Sequence, residues 1–167
     1  MKKFAAILMA LCLVLSAFAL AEEENSITIE NEPAYEGNFV GIGETGLCFY
    51  LPNDWTATEA PEGVLGEVYV SADGKTVLTV TTGEGNLNDV IDQYAQAVQD
   101  GSFSESTVVS INGLDWVLST TADNLQNYAQ CQLDDTTILS FVFVVADASM
   151  NVGDTEFQML GSLAAAE

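Results

Sequence analysis

Between residues 38 and 145 apolar and polar positions largely alternate, and a helical period replaces the alternation once in the middle and again near the end. Asn38 to Ile42 and Leu47 to Leu51 predict two short strands joined through Gly43-Glu44-Thr45-Gly46. Pro52 ends the second, and Trp55 opens a further extended piece. Val64 to Val70 and Thr76 to Thr82 flank Ala72-Asp73-Gly74-Lys75, whose Asp-Gly pair signals a hairpin turn. Leu87, Val90, Ile91, Tyr94, Ala97 and Val98 then fall on one stripe of an α-helix. Asn86 or Asn88 can cap its start, Asp89 suits the positive end of its dipole, and Gly101 is placed to stop it.

Strand character returns at Thr107 to Ile111, turns at Asn112-Gly113, and continues from Leu114 to Thr120, with Leu114, Trp116 and Leu118 on one face. Asn127 to Leu133 alternates again, and Asp134-Asp135 turns the chain into Ile138 to Val145. That near-continuous apolar run predicts a central strand covered on both faces. Phe157, Leu160, Leu163 and Ala164 predict a closing helix that starts near Asp154 or Thr155. Strands, a helix, more strands and a final helix define an α+β domain on an antiparallel sheet, covered by the long middle helix and the C-terminal helix. Trp55, Trp116, Phe141 and Phe143 are the large side chains expected in its core.

The first residues carry a different pattern. Met1-Lys2-Lys3 precedes an apolar run from Phe4 to Leu20, and Ala19-Leu20-Ala21 offers an A-x-A cleavage motif before three glutamates. This predicts a signal peptide over 1–21, cut between Ala21 and Glu22. A membrane anchor would need about 20 apolar residues and no cleavage motif. Cys12 follows Met9-Ala10-Leu11, which looks little like a lipobox. The expected organisation is therefore a signal peptide, an acidic lead over 22–37 with a short edge strand at Ser26 to Glu30, and one domain over 38–167. The expected location is the extracellular space or cell envelope, with no stable membrane anchor after cleavage.

Charge then narrows the partners. Lys2 and Lys3 leave with the signal, so Lys75 alone faces 25 acidic residues and the mature chain of 146 residues carries a formal charge of −24. Phosphate-backbone binding needs clustered Lys or Arg, which excludes nucleic acid and disfavours anionic lipid. The acidic residues are spread along the chain and keep a secreted surface solvated, while also attracting cations or basic proteins. Histidine and arginine are absent. Ser-His-Asp and Cys-His nucleophile systems, His-ligated zinc and arginine clamps are thus unavailable within the chain. In an oxidising compartment Cys48 and Cys131 either bridge, closing a loop of 83 residues, or remain two buried thiols. A bridge would contribute ~3–5 kcal/mol in the loop-entropy picture.

Three motifs suggest chemistry and have simpler explanations. Gly41-Ile42-Gly43-Glu44-Thr45-Gly46 spells G-x-G-x-x-G, but a dinucleotide site needs a helix directly afterwards, and Leu47-Cys48-Phe49-Tyr50-Leu51-Pro52 reads as strand. A hairpin is the expected structure. Asp147, Ser149, Asn151, Gly153 and Asp154 hint at a calcium loop, yet the sixth and twelfth positions hold Val152 and Gln158 in place of the Gly and Glu of an EF-hand. Helix capping accounts for the same residues. Asp134 and Asp135 are neighbours in a turn, where paired carboxylates diverge and do not face a common substrate.

With these elements placed, Gly46-Leu47-Cys48-Phe49-Tyr50-Leu51-Pro52-Asn53-Asp54-Trp55 resembles the opening strand of the PsbP-like superfamily, where an apolar strand runs into Leu-Pro-x-x-Trp. The middle helix, the Asn112-Gly113-x-x-Trp116 hairpin and the Phe157 to Leu163 helix follow in that family's order. The resemblance covers about residues 38 to 165. It implies an α/β/α sandwich and a binding or accessory role, as in photosystem II extrinsic proteins, a eukaryotic nuclear-import factor and bacterial secreted proteins, and it transfers no active residue. The expected function is a secreted, non-enzymatic binding or accessory domain of bacterial type, acting on an extracellular protein, peptide or cation. The rival readings are a hydrolase using carboxylates alone and an inert cell-surface module. No catalytic residue and no cofactor is expected. Weak calcium binding stays open, without ligands that the sequence can name.

Overall fold

In the computed structural model residues 26–28, 33–149 and 153–166 are described. The expected cleavage site at Ala21–Glu22, the rest of the signal segment and Asn151 of the calcium-like loop lie outside them.

The strands are β1 (Ser26–Ile27), β2 (Gly37–Gly41), β3 (Leu47–Pro52), β4 (Thr56–Thr58), β5 (Glu67–Val70) and β6 (Thr76–Glu84), followed after helix α1 (Leu87–Gln99) by β7 (Phe103–Ile111), β8 (Leu114–Thr121), β9 (Gln126–Gln132) and β10 (Thr137–Val145). Helix α2 (Asp154–Gly161) and β11 (Ala164–Ala165) close the chain. Local chemistry explains the connections. Asn112 and Gly113 adopt φ of 52° and 81°, the doubly positive turn whose twist matches a two-residue hairpin, and they join β7 to β8. Asp73 accepts the Lys75 N–H at 3.0 Å and the Ser71 hydroxyl at 2.8 Å, which closes the β5–β6 turn. The Asn86 side chain accepts the Asn88 N–H at 2.9 Å and caps α1, while Gly101 follows the helix with φ 80°.

Eight strands form one sheet in the order β1-β7-β8-β9-β10-β6-β5-β4, and β11-β3-β2 form a second, three-stranded sheet. All pairs in the large sheet are antiparallel except β1 with β7, so an otherwise antiparallel sheet becomes mixed at its edge. The split into two sheets was not expected from the sequence. Strand alternation gives the large sheet an inner face carrying Trp116, Cys131, Leu139, Phe141, Phe143 and Leu78. The small sheet packs over it: Phe49 of β3 meets Phe141 edge-on at 5.0 Å and Tyr69 at 5.8 Å between ring centroids. Met159 and Leu160 of α2 complete the same core. Trp116, Phe141 and Phe143 lie in this core, whereas Trp55 is only partly covered and packs on its margin.

The opposite face is covered by α1, which lies against β7, β8 and β9. Its only buried residue, Tyr94, packs with Phe103 at 5.0 Å and Tyr128 at 5.9 Å. The result is an α+β sandwich with α1 on one side of the large sheet and α2 plus the small sheet on the other. Two expectations change. The run Ile138 to Val145 is fully covered only on its inner face, because α1 does not extend over β10 and leaves Val144 38% exposed. The closing helix stops at Gly161 and does not continue to Ala164. There the Ser162 hydroxyl takes the Tyr50 N–H at 2.8 Å, and the free edge of β3 captures Ala164 and Ala165 as β11.

Candidate functional site

The inner face of the large sheet is a set of cross-strand rows, and their polarity changes along the strands. Val109, Trp116, Cys131 and Leu139 form an apolar row under the small sheet. The next row, Thr107, Leu118, Ala129 and Phe141, is mixed. A third row, Glu105, Thr120, Asn127 and Phe143, is mostly polar. Where the covering layer ends, beside Phe157 and Leu160 of α2, the third row and, apart from Phe141, the second are left as the wall of a pocket of about 350 Å³. Ala129, Phe143 and Leu160 are buried apolar side chains in it, and Glu105, Thr107 and Asn124 are exposed at its mouth. An apolar cavity with a few convergent polar groups is the usual form of a small-molecule site.

Glu105 reaches this pocket by continuing the inner-face alternation of Val109 and Thr107, and β7 becomes irregular only beyond it. The register against β8 shifts between Phe103, opposite Thr121, and Glu105, opposite Thr120. Side chains two apart on a regular strand share a face, but the extra residue of a bulge sends these two to opposite faces. Phe103 accordingly packs on Tyr94 of α1, while Glu105 lines the pocket. Beside it the Thr120 hydroxyl donates to Asn127 Oδ1 at 2.9 Å, which orients the amide. Asn127 Nδ2 is buried and meets no acceptor among the described residues. A buried amide N–H without a partner is destabilising by about 1–3 kcal/mol unless something supplies an acceptor.

The other sequence candidates are dispersed. Cys48 on β3 and Cys131 on β9 are both free and buried, in different sheets. The Cys48 thiol lies 3.7 Å from the Ala165 carbonyl. Burial pushes the Cys131 thiol up to about 12. Gly41 to Gly46 form the β2–β3 hairpin: Ile42 N–H donates to the Leu47 carbonyl at 2.9 Å, and Gly43 and Gly46 take φ of 48° and 71°. No helix follows, so the G-x-G-x-x-G spelling serves a turn. Asp134 accepts the Thr136 N–H at 2.9 Å, which holds its carboxyl below the usual range and fixes the turn it was expected to form. Asp147 does the same for the Ser149 N–H at 2.8 Å. Glu156 accepts the Gly153 N–H at 2.9 Å and caps α2. Among the described residues no three His, Cys, Asp or Glu side chains gather as metal ligands.

Sequence reasoning missed Glu105, Thr120 and Asn127 as a group. The alternation predicts a strand only from Thr107, because the bulge between Phe103 and Glu105 interrupts it before that point. That interruption was the available signal.

No family model matches the sequence, and no curated protein matches it either. Solved structures do match the fold. The solution structure of cyanobacterial PsbP (CyanoP) from Synechocystis sp. PCC 6803 aligns with a TM-score of 0.54 at 13% identity, covering 77% of this chain and 91% of that one. A crystal structure from Bacteroides thetaiotaomicron VPI-5482 aligns at 0.48 and 15% identity, covering 73% of this chain and 46% of that one. The α+β sandwich is thus a PsbP-like fold, as the Leu51-Pro52 to Trp55 segment and the Trp116 hairpin had implied. A likeness at this identity carries the fold alone.

Proposed function

We propose that this chain is an exported, non-enzymatic binding or accessory domain. Three observations support the reading: the signal-like first 21 residues, the absence of His and Arg from the sequence, and the PsbP-like fold. The observation that carries it is the composition of the pocket. Its lining joins apolar depth to hydroxyl and amide groups and to a single carboxylate, Glu105. Hydrolysis by carboxylates alone uses two of them facing across the scissile bond. A wall of this kind recognises a ligand without a second acid to turn it over.

Two measurements test this. Mass spectrometry of the protein from its native host should find Glu22 as the first residue, on material outside the cytoplasm. A panel of glycosides and peptides should show no turnover. Retained Met1 on cytosolic protein would overturn the export reading, and turnover abolished by Glu105→Gln would overturn the binding one.

A further inference from the structure

The pocket's charge and the Asn127 amide, unanswered among the described residues, say more about its occupant, given the binding reading above on which this inference rests. Among the described residues no basic side chain pairs with Glu105 at the mouth of the pocket. Lys75, the single Lys left beyond the signal segment, lies 3.4 Å from Asp73 in the β5–β6 turn. A formal charge of −24 on residues 22–167 raises the local concentration of cations and repels anions. Further in, the wall is apolar at Ala129, Phe143 and Leu160, which favours an uncharged body. Between the two, Asn127 Nδ2 offers a donor that no acceptor among the described residues answers, with its orientation fixed by Thr120. Glu105 and Asn127 lie on β7 and β9 with β8 between them, so their backbones are separated by about 10 Å.

We propose that the pocket binds a small organic cation. Its ammonium group pairs with Glu105 at the mouth, its apolar body lies against Phe143, Ala129 and Leu160, and an acceptor oxygen on that body answers the Asn127 amide. The bulge in β7 bounds this site, since without it the alternation Val109, Thr107, Glu105 would carry the Phe103 ring to the pocket face and away from α1.

The test is titration of the purified mature chain with four probes of equal length, followed through backbone amide NMR shifts. The probes are an ω-methoxyalkylammonium ion, the plain alkylammonium ion, the corresponding alcohol and the corresponding carboxylate. The expected order of affinity is methoxyammonium, ammonium, alcohol, carboxylate, with shifts centred on Leu118, Ala129 and Phe143. Glu105→Gln should weaken the ammonium probes about fivefold, the weight of one partly screened charge pair, and leave the alcohol unchanged. Asp92→Asn on the exposed side of α1 removes the same charge far from the pocket and should change little, which separates pairing from general attraction. Thr107→Trp, an exposed position at the mouth, should block all four probes while the remaining spectrum stays folded. If the alcohol binds in the pocket as tightly as the ammonium, the cation assignment falls and the binding reading stands. Equal affinity for methoxy and plain ammonium overturns the role of Asn127. If no probe of any charge shifts the pocket amides, both the assignment and the pocket as a binding site fall.

Discussion

The two faces of the large sheet are built from the same strands and behave as different materials. The inner face is closed by a second sheet and a helix, and there Trp116, Leu139 and Phe141 are fully buried among aromatic and aliphatic neighbours. The outer face is closed over only half its width, by one helix with a single buried side chain, Tyr94. Its covered part includes polar groups: Ser119 is buried and donates to the Ser106 hydroxyl at 2.8 Å, and Gln130 donates to the Ser140 hydroxyl at 2.6 Å. The inner face therefore carries most of the stability, while the outer face supplies coverage that a few hydrogen bonds keep specific.

Substitution at Trp116 probes that difference most strongly. Trp116→Ala should destabilise the domain by about 3–5 kcal/mol in denaturant melts, through lost transfer energy and the cavity left behind. Tyr94→Ala on the outer face should cost less, because its ring borders solvent and α1 can settle onto the sheet. Equal losses would show that the two faces share the core. The indole Nε1 of Trp116 is buried without a partner among the described residues, so Trp116→Phe removes an unanswered donor along with some volume. It should cost less than about 1 kcal/mol.

A pH titration sharpens the comparison next. The Cys131 thiol ionises near 9 when unfolded and holds its proton to about 12 in the inner core, because burial disfavours the thiolate. Its contribution is intact below pH 9 and is lost as pH rises from 9 toward 12, by at most about 1.4 kcal/mol per pH unit. Tyr94 acts in the same sense on the outer face, with its phenol raised from 10.0 to about 12 by burial. Cys131→Ala should flatten the part of the alkaline decline that begins near pH 9 and leave the later Tyr part in place. An unchanged decline between pH 9 and 10 would place the thiol in contact with solvent.

What the sequence made legible follows the same division. The stripe Leu87, Val90, Ile91, Tyr94, Ala97 and Val98 marks the α1 residues that are covered, because a helix on a sheet is amphipathic by local periodicity alone. The Asp73-Gly74 and Asn112-Gly113 turns were equally plain, since few residues tolerate the positive φ that these hairpins need. The two-sheet split was not legible. Whether β3 joins the large sheet or pairs with β2 and β11 depends on contacts between Cys48 and Ala164, which are 116 residues apart and leave no local trace. Val64 to Gly66 also read as strand. Gly66 there sits at φ 114°, with the Val80 carbonyl where a Cβ would stand, and β5 begins only at Glu67. The pocket was hidden because cross-strand register, not composition, brings Glu105, Thr120 and Asn127 into one row, and the bulge at Phe103 obscures where β7 begins.

Asn86 isolates the helix that covers the outer face. Its side chain answers the Asn88 N–H at the start of α1, so Asn86→Ala should lower stability by about 1 kcal/mol. Because α1 is held chiefly by Tyr94, hydrogen exchange should accelerate in α1 before it does in β8 or β10. Uniform acceleration would mean that helix and sheet open together.

The smallest effect is expected where the outer face is bare. Val144 is 38% exposed on β10, opposite Val77 on β6, yet its neighbours Phe143 and Val145 are buried in the inner core. Val144→Thr keeps the β-branched shape that a pleated strand favours and places a hydroxyl in water. The change should stay within about 0.5 kcal/mol in either direction. Phe143→Leu, one residue away on the same strand, should cost more than that, since it opens volume beneath the cover. If Val144→Thr proves the costlier of the two, something covers this half of the outer face in solution, and the asymmetry between the faces would belong to the isolated chain alone.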